Sequence, residues 1–465
     1  MIDNFYILTA NWLSSSTIIA ATESATESSA EEGTLVLAGV LLSLVIIYFA
    51  SKLGGEVCSR INLPPVLGEL VGGVLVGISA FRLLVFPESS AADDSLIIGI
   101  LQSTAGLTPE ATQSVFTAQS EVISLLSELG VIILLFEIGL ESDLKELIRV
   151  GPIAAVVAVV GVVAPFVAGT LGLIYIFGTP VIPAVFAGAA LTATSIGITA
   201  KVLAELGQLS SEEGQIIIGA AVLDDILGIV VLAVVASLVK TGEIQISNII
   251  YLVISAAVFL IGSILIGRLV SPLIVGLVNE MKTRGQVLLT GLVFAFILSY
   301  IATVINLEGI LGAFAAGLIL AETEKRKELE EQIIPVADFF VPIFFVCVGA
   351  KTDLSVLNPT VPSNREGLII ATFLILVAIL GKVITGFTVF GNPEINKLAI
   401  GVGMIPRGEV GLVFAGVGSA SGALSEATEA AIIVMVIATT FVAPPLLRLV
   451  FQEDDLAESV DKVQE

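Results

Sequence analysis

The chain has 465 residues, 56% of them hydrophobic and only 14% charged, with a formal net charge of −23 and a mean hydropathy of +1.05. A water-facing globular surface needs about a quarter of its residues charged, so composition excludes an ordinary soluble domain. The acidic balance excludes nucleic acid as a partner. There is no histidine, which removes imidazole as a base, proton carrier or metal ligand. Cys58 and Cys347 are too few and too far apart for a disulfide framework or a cysteine metal site.

Residues 1–33 contain no Lys or Arg. They lack the basic start of a signal peptide and read as an acidic, non-cytoplasmic tail. From Thr34 to Val450, apolar runs recur at about 18–25 residues, the length that crosses a hydrocarbon core of ~30 Å. Without water to satisfy it, backbone at that depth is helical, and the runs are too long for the alternating strands of a membrane barrel. The predicted spans are 34–51, 66–86, 121–141, 151–178, 181–206, 213–239, 246–271, 285–305, 308–321, 333–351, 367–389, 395–422 and 426–449, thirteen in number. The fold class is an all-α polytopic membrane protein in contact with a lipid bilayer.

Basic residues concentrate in cytoplasmic loops, which sets direction. With the N-terminus outside, Lys52, Arg60, Lys145, Arg149, Lys201, Arg268, Lys282, Arg284, Lys325, Arg326, Lys327, Lys397, Arg448 and Lys462 fall on the cytoplasmic side. Only Arg82, Lys240, Lys351 and Arg365 fall outside. The expected topology is N-terminus out, with the tail 450–465 in the cytoplasm.

Two stretches recur. Val66-Leu67-Gly68-Glu69-Leu70-Val71-Gly72-Gly73-Val74-Leu75 matches Ile310-Leu311-Gly312-Ala313-Phe314-Ala315-Ala316-Gly317-Leu318-Ile319, and Gly139-Leu140-Glu141-Ser142-Asp143-Leu144 matches Gly349-Ala350-Lys351-Thr352-Asp353-Leu354. The second and third spans thus correspond to the ninth and tenth. The odd separation gives the two halves opposite topology, the inverted repeat from which alternating-access transporters are built.

The sixth span reads Val222-Leu223-Asp224-Asp225-Ile226-Leu227. Two carboxylates deep in an apolar helix are expensive and by default mark an ion or proton path. Adjacent helical residues point ~100° apart, so one carboxylate can face a cavity while the other meets a partner helix. Lys382 is the one lysine in the middle of a span. It requires a carboxylate partner, for which Asp224 is the natural candidate. The fifth span carries Leu191-Thr192-Ala193-Thr194-Ser195-Ile196-Gly197, whose hydroxyls and glycine suit an unwound helix with carbonyls free to ligate a bare cation. The twelfth carries Met404-Ile405-Pro406-Arg407-Gly408-Glu409, where Pro and Gly bracket charges in an apolar run and break the helix. Arg407 and Glu409 read as structural charges that neutralise helix ends. Glu69, Glu137 and Asp338 read as packing or interface groups.

Together these segments resemble the monovalent cation:proton antiporter superfamily, specifically its double-aspartate branch of NapA-type sodium/proton antiporters. Pro65-Val66-Leu67-Gly68-Glu69, Leu135-Phe136-Glu137-Ile138-Gly139, Leu191 to Ala200, Leu223-Asp224-Asp225, Phe340 to Gly349 and Pro406-Arg407-Gly408-Glu409 carry the likeness. The resemblance implies a thirteen-helix fold with scaffold helices at 34–141 and 285–351, core helices at 151–239 and 367–449, and a linker at 246–271. It implies broken, mutually crossing fifth and twelfth helices, a homodimer, and an elevator motion of the core. Asp225 would be the carrier of Na⁺ or H⁺, with Thr194 and Thr192 lining the site and Asp224 paired with Lys382. No cofactor is implied beyond the transported ions.

Potassium-efflux relatives usually lack the first aspartate and carry a nucleotide-binding domain, whereas about fifteen residues follow the last span here. Sodium is therefore expected over potassium, with lithium or potassium as the alternative cations, by exchange that is electrogenic. Ala221, one turn before the pair, offers no ligating oxygen. The expected location is a bacterial-type cell membrane or an internal energy-transducing one. The main rival is a sodium-coupled solute symporter, which needs a larger polar cavity than these spans supply. A membrane aspartyl protease needs converging aspartates on two helices, and a potassium channel needs a carbonyl filter repeat. No enzymatic activity is expected.

Overall fold

The computed structural model describes residues 33–464 apart from 88–89, 106–107, 242–245, 361 and 391–394. The tail at 1–32 lies outside the described residues, as do the side chains of Glu409 and of residues 453–464. The described chain is all-helical: α1 (Gly33–Arg60), followed by α2 (Pro65–Val76), α3 (Leu96–Ala105), α4 (Pro109–Glu141), α5 (Leu144–Phe177), α6 (Val181–Ala190), α7 (Ile196–Glu205), α8 (Glu212–Thr241), α9 (Ile246–Glu280), α10 (Gln286–Val304), α11 (Gly309–Ala321), α12 (Arg326–Ala350), α13 (Pro362–Gly386), α14 (Lys397–Gly403), α15 (Glu409–Ala420) and α16 (Glu426–Gln464).

Nine of these described helices, α1, α4, α5, α8, α9, α10, α12, α13 and α16, are long and apolar enough to cross a membrane. The other four predicted spans are built from shorter pieces: α2, α11, and the pairs α6–α7 and α14–α15. α2 has 12 residues, which at 1.5 Å per residue reach ~18 Å and fall short of the hydrocarbon thickness. Such truncation is tolerated where protein, not lipid, surrounds the helix ends. Every residue of α11 from Leu311 to Leu320 is buried.

Boundaries differ from expectation at several helix ends: α1 runs on to Arg60 and α9 to Glu280, where 51 and 271 were expected, while α5 and α12 begin seven residues early, at Leu144 and Arg326. The second span ends at Val76, because Gly77 turns the chain into irregular backbone that carries Leu84, Val85 and Phe86 into the core. The third begins at Pro109, where Pro at the first helical position and a Thr108 cap nucleate it before the apolar run starts. The last helix passes Leu449 without a break and runs on to Gln464.

Packing falls into two groups. In one, α4 lies along α11 and α12, α12 against α2, and α10 and α9 against α11. In the other, α5 lies against α8, α13 and α6, α13 against α16 and α14, and α15 against α16 and α6. The chain visits the first group, then the second, and after α9 repeats that order. The groups touch where α7 meets α4 and α2.

Glycines give the inverted repeat its physical form. A Cβ added to Gly73 would lie 2.9 Å from the Gly349 Cα, and one on Gly317 would lie 2.9 Å from the Gly139 Cα. In the sequence repeat Gly73 corresponds to Gly317, and Gly139 to Gly349. The α2–α12 crossing and the α4–α11 crossing are therefore images of one another. Both need bare backbones in contact, the usual device of membrane helix pairs. Apolar side chains on the outside, such as Leu41 and Phe49 of α1 and Leu265, Leu269 and Leu273 of α9, are more than half exposed. This is a surface for lipid, not water.

Candidate functional site

The α6–α7 span breaks at Leu191. The next residues, Thr192 to Ser195, are non-helical, and α7 restarts at Ile196. The α14–α15 span breaks in the same way from Met404 to Gly408, since Pro406 has no N–H to continue the ladder. The two breaks cross in contact. The Ser195 backbone N–H donates to the Pro406 carbonyl at 2.8 Å. Thr199 Oγ1 donates to the Gly403 carbonyl at 2.8 Å, and Thr194 Oγ1 to the Met404 carbonyl at 3.3 Å. Each hydroxyl satisfies a carbonyl at the end of α14 that the break leaves without a helical partner.

Arg407 performs the same service for the other break. Fully buried, its Nη1 donates to the Ala193 carbonyl at 2.7 Å and to the Thr192 carbonyl and Thr194 Oγ1 at 3.4 Å. A cation there also opposes the negative end of the α6 dipole. Thr440 of α16 donates its hydroxyl to the Arg407 carbonyl. A side chain at Gly408 would meet Ser195 Oγ at 2.7 Å, so the crossing needs glycine at that point.

Against this crossing lies α8 with the two aspartates. Asp224 is fully buried, and Lys382 Nζ donates to its Oδ1 at 3.2 Å and Oδ2 at 3.3 Å. Lys382 stands on α13, which packs on α5, and α5 packs on α8. The ammonium passes α5 at Gly161, where a Cβ would come within 3.1 Å of Nζ. Asp225 is 6% exposed. It lines a cavity of ≈ 20 Å³ together with Thr194, Ser195, Phe344 and Glu308, enough room for about one water-sized occupant. Two anions and two cations are thus buried side by side, and of the four only Asp225 lines this cavity.

The structure brings together Asp224, Asp225, Lys382, Thr194 and Arg407. Thr192 is fully buried, turns its hydroxyl back to the Ala189 carbonyl at 2.7 Å and does not line the cavity. Glu409 begins α15 beside the crossing, with its side chain outside the described residues. Of the peripheral acids, Glu69 accepts a hydrogen bond from Ser51 at 2.9 Å and Asp338 is exposed. Sequence reading passed over Thr199, Thr440 and Gly161. Isolated threonines and glycines in apolar spans carry no positional signal until the crossing is seen.

Chemically, the arrangement offers a small hard cation only oxygen ligands: the Asp225 carboxylate, the Thr194 hydroxyl and carbonyls of the broken spans. Thr194 Oγ1 keeps a lone pair after accepting from Arg407. The Asp225 carboxylate can take a proton instead. A buried carboxylate able to hold a proton or a cation, set at crossed broken helices of an inverted repeat, is an arrangement suited to a secondary ion transporter.

Comparison with known proteins agrees. Residues 32–453 match the model of the transmembrane sodium/hydrogen exchanger family, and the chain belongs to that family. It is 76% identical over 94% of its length to the high-affinity Na⁺/H⁺ antiporter NhaS3 of Synechocystis, covering 95% of that protein. It is 32% identical over 90% of its length to the Na⁺/H⁺-K⁺ antiporter GerN of Bacillus cereus, covering 98% of it. The solved sodium proton antiporter MjNhaP1 from Methanocaldococcus jannaschii shares the fold, with a TM-score of 0.57 at 17% identity over 92% of this chain and 97% of that one.

Proposed function

We propose that this protein exchanges Na⁺ for H⁺ across a membrane, with Asp225 as the shared carrier. The observation that carries this reading is the division of labour between adjacent aspartates. Asp224 is neutralised by Lys382, whereas Asp225 lines a cavity with Thr194. Cation and proton compete for Asp225, so neither crosses without the other being released. The 76% identical relative is a high-affinity Na⁺/H⁺ antiporter, which favours sodium, while the GerN relative, an Na⁺/H⁺-K⁺ antiporter, leaves potassium as the cation to test against it.

In this reading the α5–α8 and α13–α16 group moves as one body against the α1–α4 and α10–α12 group, an elevator in which Asp225 travels with the former. Entry of Na⁺ weakens the Lys382–Asp224 pair, whose proton then contributes to an electrogenic exchange. The symporter alternative is disfavoured by the cavity beside Asp225, which at ≈ 20 Å³ has no room for an organic solute.

The test is proton movement in proteoliposomes carrying an imposed ΔpH, read with a pH-sensitive dye, on addition of Na⁺, Li⁺ or K⁺. Collapse of ΔpH by Na⁺, absent in Asp225→Asn, is expected. Absence of a response to every cation, with the protein correctly inserted, overturns the proposal.

A further inference from the structure

The cavity that holds Asp225 is built from both packing groups. The α6–α7 break contributes Thr194 and Ser195, α7 Ile196 and Gly197, α8 Asp225 and α15 Val410, while Val131 of α4, Ile310 of α11 and Phe344 of α12 close the opposite side. Those three scaffold residues are apolar. The scaffold wall carries one ionisable group, Glu308, on the non-helical residue immediately before α11.

Glu308 is exposed and sits where the chain enters α11 from α10. Its side chain makes no capping hydrogen bond to α11, and no ion pair holds it among the described residues. A carboxylate with no structural employment stands at an otherwise apolar wall, opposite the carboxylate that takes the cation. A cation entering such a throat loses hydration before it reaches Asp225. An ionised carboxylate along that path offsets the loss and raises the local cation concentration.

We propose that Glu308 is a positioning residue for Na⁺, which it holds at the mouth of the cavity and hands to Asp225 from one side of the membrane only. The one-sidedness follows from placement. Asp225 belongs to the group that moves and Glu308 to the group that stays, so the two share a cavity in one of the two access states. The proposal rests on the exchange reading above, including relative motion of the two groups.

The experiment compares the full chain with Glu308→Gln and Glu308→Asp in proteoliposomes of defined orientation. The half-saturating Na⁺ concentration and maximal rate are measured separately from each face. Glu308→Gln is expected to raise half-saturating Na⁺ several-fold from the face bearing the α10–α11 connection. The maximal rate and the opposite face should be unchanged, and Glu308→Asp should restore much of the loss. Glu121→Gln, at an exposed carboxylate of α4 outside the cavity lining, should have little effect, which separates a specific role from general surface charge. Unchanged half-saturation from both faces, an equal rise from both, an equal effect of Glu121→Gln, or a loss of maximal rate alone would each overturn the proposal. Intact Na⁺-driven exchange with any of these outcomes removes Glu308 and leaves the functional reading standing. Failure of the parent chain to exchange removes both.

Discussion

At the scale of single residues, the site depends on how buried charges are paired. The Lys382–Asp224 pair is wholly removed from solvent, and such pairs give little net stability while becoming costly when one partner is lost. Lys382→Ala should therefore destabilise the protein by roughly 3–5 kcal/mol, since it leaves Asp224 charged and alone. The double variant Lys382→Ala with Asp224→Ala should recover a large part of that loss, as thermal unfolding in detergent would show. Arg407→Lys should also destabilise, because an ammonium cannot reproduce a planar guanidinium reaching the Ala193 and Thr192 carbonyls together. Asp225 behaves differently, being the member of the group that lines the cavity with Thr194. Asp225→Asn should fold normally and lose exchange, which a melting curve beside the transport assay can check.

At the scale of helices, two kinds of glycine are present. Those at the α2–α12 and α4–α11 crossings have neighbouring backbone where a Cβ would go, whereas Gly262 of α9 has nothing within 4 Å. Gly317→Ala should therefore force the crossing apart at a cost of roughly 1–3 kcal/mol. Gly262→Ala should be neutral or stabilising by up to about 1 kcal/mol, from lost freedom of the unfolded chain. A melting series over these variants checks both. Elements were unequally legible in sequence. The nine long helices announce themselves through uninterrupted apolar length, and Pro406 announces the break in the twelfth span. The end of α2 at Val76 was hidden, because the irregular stretch after it is as apolar as a helix and is buried by neighbours, not by lipid.

At the scale of the whole molecule, the proposed competition of a proton and Na⁺ for one carboxylate would couple transport to pH. As pH falls through the range in which Asp225 protonates, half-saturating Na⁺ should rise, and at higher pH it should level off; a pH series of transport rates measures this. Saturating Na⁺ should stabilise the folded protein, by about 2.7 kcal/mol at a hundredfold excess over the dissociation constant. Asp225→Asn should abolish that thermal shift. The sequence alone determined the membrane class, the number of spans, the inverted repeat and the identity of the buried charges. Each of these rests on composition and period, which are local properties of a chain in an apolar solvent. Only the tertiary structure decided that Thr194 faces the cavity while Thr192 does not, that Arg407 caps the opposite break, and that Glu308 shares a cavity with Asp225. Those facts depend on where helices distant in sequence cross, and apolar spans carry almost no local record of which neighbours they will meet.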